Sequence, residues 1–257
     1  MTAPRPIQGE GTTAQTWQDW PGIDELSPVL LNDLLGAAQR LVVLAPHPDD
    51  EILACGGLLA CHAARGGVSL VVAVTDGEAS HQGLSQWNAD QLAERRRQES
   101  VQGLVRLGPF GSGQLNVARL GIKDSGLAHR HEQLLDSLGR LIAVDDLVVS
   151  TWRFDGHPDH DAVGAAADAV CAGIGCMLLQ APVWMWHWSH PGDSRVPWSC
   201  LRRLDLPAAV VDAKKNALSA HASQLEARVV EGLETLGPVL GLEIRQRAAW
   251  NFECYFL

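Results

Sequence analysis

The sequence predicts an α/β fold: a doubly wound, Rossmann-like three-layer sandwich built on a mostly parallel sheet. Three observations lead there. Short apolar runs at Arg40–Ala45, Ser69–Thr75 and Asp146–Thr151 alternate with segments of helical composition, and parallel strands need such crossover helices. Each run leads into an acidic or histidine-bearing loop, as ligand loops do at the carboxyl ends of strands in open α/β sheets. The 257 residues are enough for one large domain, and no internal repeat or linker divides them. Residues 39–257 are therefore read as a single domain, preceded by an N-terminal extension over residues 1–38.

The elements follow in order. Residues 1–20 are polar, rich in Thr, Gln and Gly, and carry Trp17 and Trp20. Ile23 to Leu35 reads as a short amphipathic helix that ends near Gly36. Arg40–Ala45 is the first strand, and 50–65 a helix closed by Gly66-Gly67. Ser69–Thr75 is β-branched and ends in the acidic turn Asp76-Gly77-Glu78. After a long loop at about 79–88 comes a charged helix, Ala89–Leu107. Residues 114–126 hold a short strand and turn, and 128–143 a helix. The strand 146–151 precedes an Ala-rich helix over Asp161–Gly173. Residues 177–211 read as strand-like with a break at Pro191-Gly192, and 212–230 as a helix. The chain closes on an apolar stretch, Trp250–Leu257.

Composition narrows the function. A net charge of -10 argues against a nucleic-acid partner, because phosphate binding needs a basic face, and here the basic residues are scattered apart from Arg95-Arg96-Arg97. No apolar stretch is long enough to span a bilayer, and the polar N-terminus has no secretory core, so a cytoplasmic enzyme is expected. The six cysteines are irregularly spaced; Cys55, Cys61, Cys171 and Cys176 read as reduced packing residues. A homo-oligomer is compatible with the chain.

The most informative residues are His47-Pro48-Asp49-Asp50-Glu51, directly after the first strand. His47 and Asp50 are three residues apart, so one tight turn can aim both at a divalent metal. Asp49 then cannot be a ligand from the same face and is free to act on a metal-bound water. The plainer account is an acidic helix N-terminus, which explains the three carboxylates but not His47. Beyond the strand at 146–151, Asp155-Gly156-His157-Pro158-Asp159-His160 repeats the logic. Two such loops meeting at the sheet's carboxyl edge would supply two nitrogens and a carboxylate and leave one zinc position open.

These residues resemble a known family. Leu44-Ala45-Pro46-His47-Pro48-Asp49-Asp50-Glu51 through Cys55-Gly56-Gly57, then Val74-Thr75-Asp76-Gly77-Glu78 and Gly156-His157-Pro158-Asp159-His160, look like the PIG-L/LmbE-like zinc-dependent N-acetylglucosaminyl deacetylases. That family includes enzymes of mycothiol, bacillithiol and GPI-anchor biosynthesis. Weaker matches at Leu120–Asp124 and Lys215–Gln224 extend the resemblance over roughly residues 40–225. Pro182-Val-Trp-Met-Trp-His-Trp188, with Asp155 before the histidine pair, resembles one bacterial subgroup. Mycothiol-type members have a tyrosine where Asp155 stands, which counts against a substrate of that type.

The resemblance implies Zn2+, or another divalent metal such as Fe2+, on His47, Asp50 and His160. Spacing alone does not choose His160 over His157. Asp49 is the expected general base, and His157, as a protonated imidazole, the stabiliser of the oxyanion. Asp159 either orients a histidine or caps the turn. Arg96 and Asp124 align with substrate-side positions; for Arg96 the alternative is an ion pair with Glu99 within its helix. Asp76 and Glu78 bind sugar hydroxyls or cap a helix, and His221 is either functional or packed. Trp184, Trp186 and Trp188 alternate, which in a strand puts them on one face. They form either a platform for a sugar ring, with Trp186 as the substrate-binding residue, or a core or dimer face. The expected activity is removal of an acetyl group from a small N-acetylated sugar or glycoconjugate. The alternatives are hydrolysis of another N-acyl compound, or sugar binding without catalysis.

Overall fold

Leu41-Val42-Val43-Leu44-Ala45 is apolar at every position because it is covered on both faces, and it forms an interior strand of the sheet. The computed structural model describes residues 7, 9–38, 40–80, 87–108, 114–227 and 237–257. In chain order its strands are β1 (Ser27–Pro28), β2 (Arg40–Ala45), β3 (Val68–Ala73), β4 (Leu115–Arg119), β5 (Asp146–Thr151), β6 (Met177–Ala181), β7 (Leu201–Asp205) and β8 (Phe252–Phe256). The helices are α1 (Ala14–Gln18), α2 (Leu31–Leu35), α3 (Asp50–Ala64), α4 (Ala89–Leu107), α5 (His131–Gly139), α6 (Pro158–Ile174), α7 (Met185–Trp188), α8 (Ala208–Leu218), α9 (Ala222–Leu225) and α10 (Leu242–Ala248).

The sheet order is β1-β7-β8-β6-β5-β2-β3-β4, parallel except where β8 runs against β6 and β7. From β2 the chain proceeds outward through β3 and β4, then returns to lay β5 on the other side of β2 with Leu41 opposite Leu147. The direction of winding therefore reverses between β2 and β5, and the crevice beyond their carboxyl ends is where such sheets bind ligands. Alternate side chains feed two cores. Leu41 and Val43 pack with α3, α4 and α8, while Val42 and Leu44 pack with α5 and α6. The result is the expected doubly wound, three-layer sandwich.

Several elements differ from the sequence reading. The helix expected over Ile23–Leu35 is interrupted, since Ser27–Pro28 pairs in parallel with β7 at Arg202–Arg203 and only Leu31–Leu35 is helical. Pro28 suits a short edge strand and not a helix interior. The N-terminal segment is also integrated with the fold: Trp17 is fully buried and its Nε1–H donates to the Trp186 carbonyl at 2.8 Å. The strand-like section 177–211 holds two strands with α7 between them, and the helix expected at 212–230 divides into α8 and α9. Residues 81–86 of the loop at 79–88, and 228–230 of that expected helix, lie outside the described residues. Helix α3 is kinked at Cys55, because the Glu253 carboxylate from β8 accepts the N–H groups of Gly57 and Leu58 at 2.7 and 2.8 Å. A Cβ on Gly57 would lie 2.5 Å from a Leu206 methyl and 3.0 Å from the Glu253 carboxyl carbon, so a larger residue here would have to displace both.

Candidate active site

Two loops build the site, one after β2 and one after β5. In the first, the chain leaves β2 through Pro46 and enters α3 at Asp50. Asp49 occupies the N-cap position with φ 143°, a conformation rare for a side-chain-bearing residue, and its carboxylate makes no capping bond. Its backbone N–H is instead satisfied by Glu51 Oε2 at 3.0 Å, which leaves the Asp49 carboxylate directed elsewhere. The plain N-cap account of Asp49 therefore fails. In the second loop, α6 begins at Pro158 and is drawn close to the end of β5. A Cβ on Gly164 would stand 2.5 Å from the Thr151 carbonyl oxygen. Thr151 Oγ1 donates to the His160 carbonyl at 3.1 Å and fixes the first turn of α6.

His47, Asp50 and His160 converge. His47 Nδ1 and His160 Nε2 each lie 3.2 Å from Asp50 Oδ2, and one ligand atom from each of the three residues lies within 4.8 Å of the others. Ligands about 2.1 Å from a tetrahedral zinc stand roughly 3.4 Å apart, so this spacing suits a metal. His160 Nε2 is buried and faces only the Asp50 carboxylate, so a metal bound there would take the place of its proton. The opposite nitrogens are held by carboxylates. His47 Nε2 lies 3.2 Å from Asp124 Oδ1 and 3.3 Å from Asp159 Oδ2, and His160 Nδ1 lies 2.8 Å from Asp155 Oδ2. Carboxylates in that position fix the tautomer and orientation of metal-bound histidines. A second combination, His47, His157 and Asp159, also lies within metal-binding range. Its His157 Nδ1, however, accepts the Asp159 N–H at 3.2 Å, and Asp159 itself accepts the N–H groups of Ser125 and Leu127. The first triad fits better.

The charges are strongly coupled. Burial alone would depress His47 and His160, but the surrounding carboxylates prevail; His47 rises well above the usual imidazole value and His160 to about 9. Asp50 goes the other way: burial is outweighed by His160 and His47, which hold it well below the usual carboxylate range. This is a centre that attracts cations. Asp49 differs from its neighbours. Burial lifts it to about 7, with the Arg96 guanidinium, Nη2 3.1 Å from Asp49 Oδ2, limiting the rise. His157 is pushed down to about 3 by burial first and by His160 and His47 next, so the imidazolium expected for it does not fit these surroundings. With Nδ1 accepting a backbone N–H, the neutral ring carries its proton on Nε2.

One cleft of about 240 Å³ gathers His47, Asp49, Asp50, His157, His160, Arg96 and Asp124. Asp159 lies behind it, against His47. Arg96 does not pair with Glu99; its Nη1 donates to the Gly77 carbonyl at 2.9 Å and its Nη2 to the Pro48 carbonyl at 2.8 Å, while Glu99 accepts from Arg95 and Ser223. Glu78 accepts the Asp124 N–H, Asp76 pairs with Arg97 and Arg119, and His221 is fully buried.

Trp186 is not brought to the cleft. It is buried edge-on between Trp17 and Trp250, with ring centres at 5.1 and 5.3 Å. Trp184 lines the cleft instead, with its ring near parallel to His157 at 6.3 Å. The expected strand over the tryptophans is absent for a definite reason. Asp155, fully buried, accepts the N–H groups of Val183, Trp184 and Met185, each at 2.9 Å, and this wraps the chain into α7. The sequence marks Asp155 only as a subgroup feature ahead of the histidine pair and gives it no role in the site; the structure sets it against both His160 Nδ1 and the tryptophan segment.

The family description "GlcNAc-PI de-N-acetylase" (PIG-L) matches residues 42–171. The 1D-myo-inositol 2-acetamido-2-deoxy-alpha-D-glucopyranoside deacetylase of Corynebacterium diphtheriae is 32% identical, over 76% of this chain and 78% of that protein. The probable N-acetyl-alpha-D-glucosaminyl L-malate deacetylase 2 of Bacillus subtilis is 26% identical, over 84% of this chain and 98% of that one. The solved N,N'-diacetylchitobiose deacetylase from Pyrococcus horikoshii superposes with a TM-score of 0.56 at 20% identity, over 76% of this chain and 74% of that one, which shows a shared fold. With the family description spanning both histidine loops and a relative of this identity along most of its length, the chain belongs to the PIG-L family of deacetylases.

Proposed function

We propose that this protein hydrolyses the acetamide of an N-acetylated amino sugar or glycoconjugate, releasing acetate and a free amine. The observation that carries this reading is Asp49: a buried, uncapped carboxylate on a strained backbone, beside a three-ligand metal triad and facing a cleft. A binding protein has no use for such a group, whereas a hydrolase needs one.

His47, Asp50 and His160 fit Zn2+ by donor type and spacing, and bound there it would supply a Lewis acid and lower the pKa of water. The chain's own groups do the rest. Asp49 accepts a proton from the attacking water and returns it to the amine nitrogen as the C–N bond breaks; a carboxylate near 7 serves both directions. Arg96 positions that base and keeps its pKa from rising further. His157 donates from Nε2 to the oxygen of the acetamide carbonyl as negative charge develops there. Asp124, Asp159 and Asp155 hold the two metal-binding imidazoles. Trp184, and not Trp186, offers its ring to the sugar. The deciding experiment loads the protein with zinc and assays acetate release from a panel of N-acetylated sugars and glycoconjugates, with Asp49→Asn as control. No release from any member by metal-replete protein would reject the proposal.

A further inference from the structure

A second cavity lies beside the catalytic cleft, sharing only Leu53 with it, and offers about 50 Å³ of space to the centre of a water molecule. Its charged lining residues are Lys214, Glu253 and Arg247. Lys214 and Glu253 neutralise one another at 2.6 Å, and Glu253 further accepts from Gly57, Leu58 and Tyr255. Arg247 has no such partner among the described residues. It is 8% exposed, its Nη1 donates to the Thr12 carbonyl at 3.0 Å, and its buried Nη2 has no acceptor. Glu243, which acts on Arg247 through space, takes the Ala14 N–H and makes no ion pair with it. The indole Nε1–H of Trp250, a residue 7% exposed on the same cavity, is likewise buried and unpartnered. Burial depresses Arg247 to about 10, which still leaves it charged at neutral pH.

A buried guanidinium with no carboxylate partner and an indole N–H with no acceptor, both on one cavity, are costly unless something accepts from them. We infer that this cavity binds a compact monocarboxylate such as acetate, held by Arg247 Nη2 and Trp250 Nε1. The charge decides the valence: one uncompensated positive charge suits a monoanion, and a dianion would leave an excess beside Glu253. The narrow space favours a compact anion. The walls choose a carboxylate over a halide, since Trp186, Phe252 and Val183 offer apolar surface to an alkyl group. The site rests on this cavity and does not depend on the proposed reaction.

The test titrates acetate, with sulfate at equal ionic strength as the dianion control and chloride as the halide comparison. Tryptophan fluorescence and thermal midpoint are followed in zinc-loaded and chelator-stripped protein. Saturable binding of acetate in both forms is expected, tighter than chloride. Arg247→Gln should weaken it tenfold or more, and Trp250→Phe, which keeps a ring and removes only the N–H donor, about fivefold. Three results would overturn the inference: no saturable response, meaning that the cavity holds water only; a response lost with the zinc, meaning acetate on the metal centre; or equal affinity in wild type and Trp250→Phe. Because the phenylalanine variant leaves the Arg247–Thr12 contact intact, the conclusion stands even where Arg247→Gln fails to fold.

Discussion

Asp155→Asn tests how the metal centre is held. One oxygen of Asp155 accepts from Val183 and Met185, the other from Trp184 and His160 Nδ1. An asparagine has one acceptor oxygen and one amino group, so it must present N–H to one of these pairs. Facing Val183 and Met185, it would leave two buried donors unsatisfied, at about 1–3 kcal/mol each. Facing Trp184 and His160, it strands one donor, and His160 can adapt by giving up its Nδ1 proton and holding one on Nε2. The second arrangement wins. It puts a proton on the nitrogen that faces Asp50 at 3.2 Å and leaves no lone pair there for a metal. Metal affinity should fall at least 10–100-fold, roughly 1.4–2.7 kcal/mol. The metal-free fold should lose only about 1–3 kcal/mol, the cost of one stranded N–H. A competition titration of zinc against a chromophoric chelator reads the first quantity, and urea denaturation of stripped protein the second. Wild-type zinc affinity in Asp155→Asn would refute the reasoning.

Other outcomes follow from the same geometry. Asp49→Asn should retain zinc and lose roughly a hundredfold to ten-thousandfold in turnover, measured by acetate release against bound metal. The same variant has a stability signature. Burial lifts folded Asp49 to about 7 from 3.8, so its contribution favours folding at low pH and is lost as pH rises through 7. In stripped protein the melting temperature of Asp49→Asn should therefore gain on wild type between pH 5 and pH 8, and a constant difference would contradict that. Arg96→Met removes the charge that lowers Asp49, so the acid limb of kcat/KM should move to higher pH; an unmoved limb would mean that another group titrates. For the tryptophans, Trp186→Ala should cost about 3–5 kcal/mol of stability. Trp184→Ala should instead raise KM several-fold with little change in melting temperature, and the reverse pattern would return the platform to Trp186.

How much of this was legible in the sequence differs by scale. The strand–helix alternation was readable because β2, β3 and β5 are covered on both faces, and continuous apolar runs report that directly. His47 and Asp50 were readable because a three-residue spacing at a strand end fixes their mutual geometry locally. The tryptophan run was misread because its alternation is indifferent to backbone state; a distant buried carboxylate, Asp155, curls it into α7. Arg96 was placed on the substrate side or against Glu99, since sequence offers only the partners along its own helix. Its contacts with Pro48 and Asp49 come from another layer of the fold. Local order of residues thus determined the central strands, the two histidine loops and the family. Which carboxylate holds which imidazole, which tryptophan faces the cleft and where Asp49 sits on the pH scale were decided only by tertiary structure. Those properties depend on burial and on charges brought within about 3 Å from far along the chain, where the effective dielectric is low.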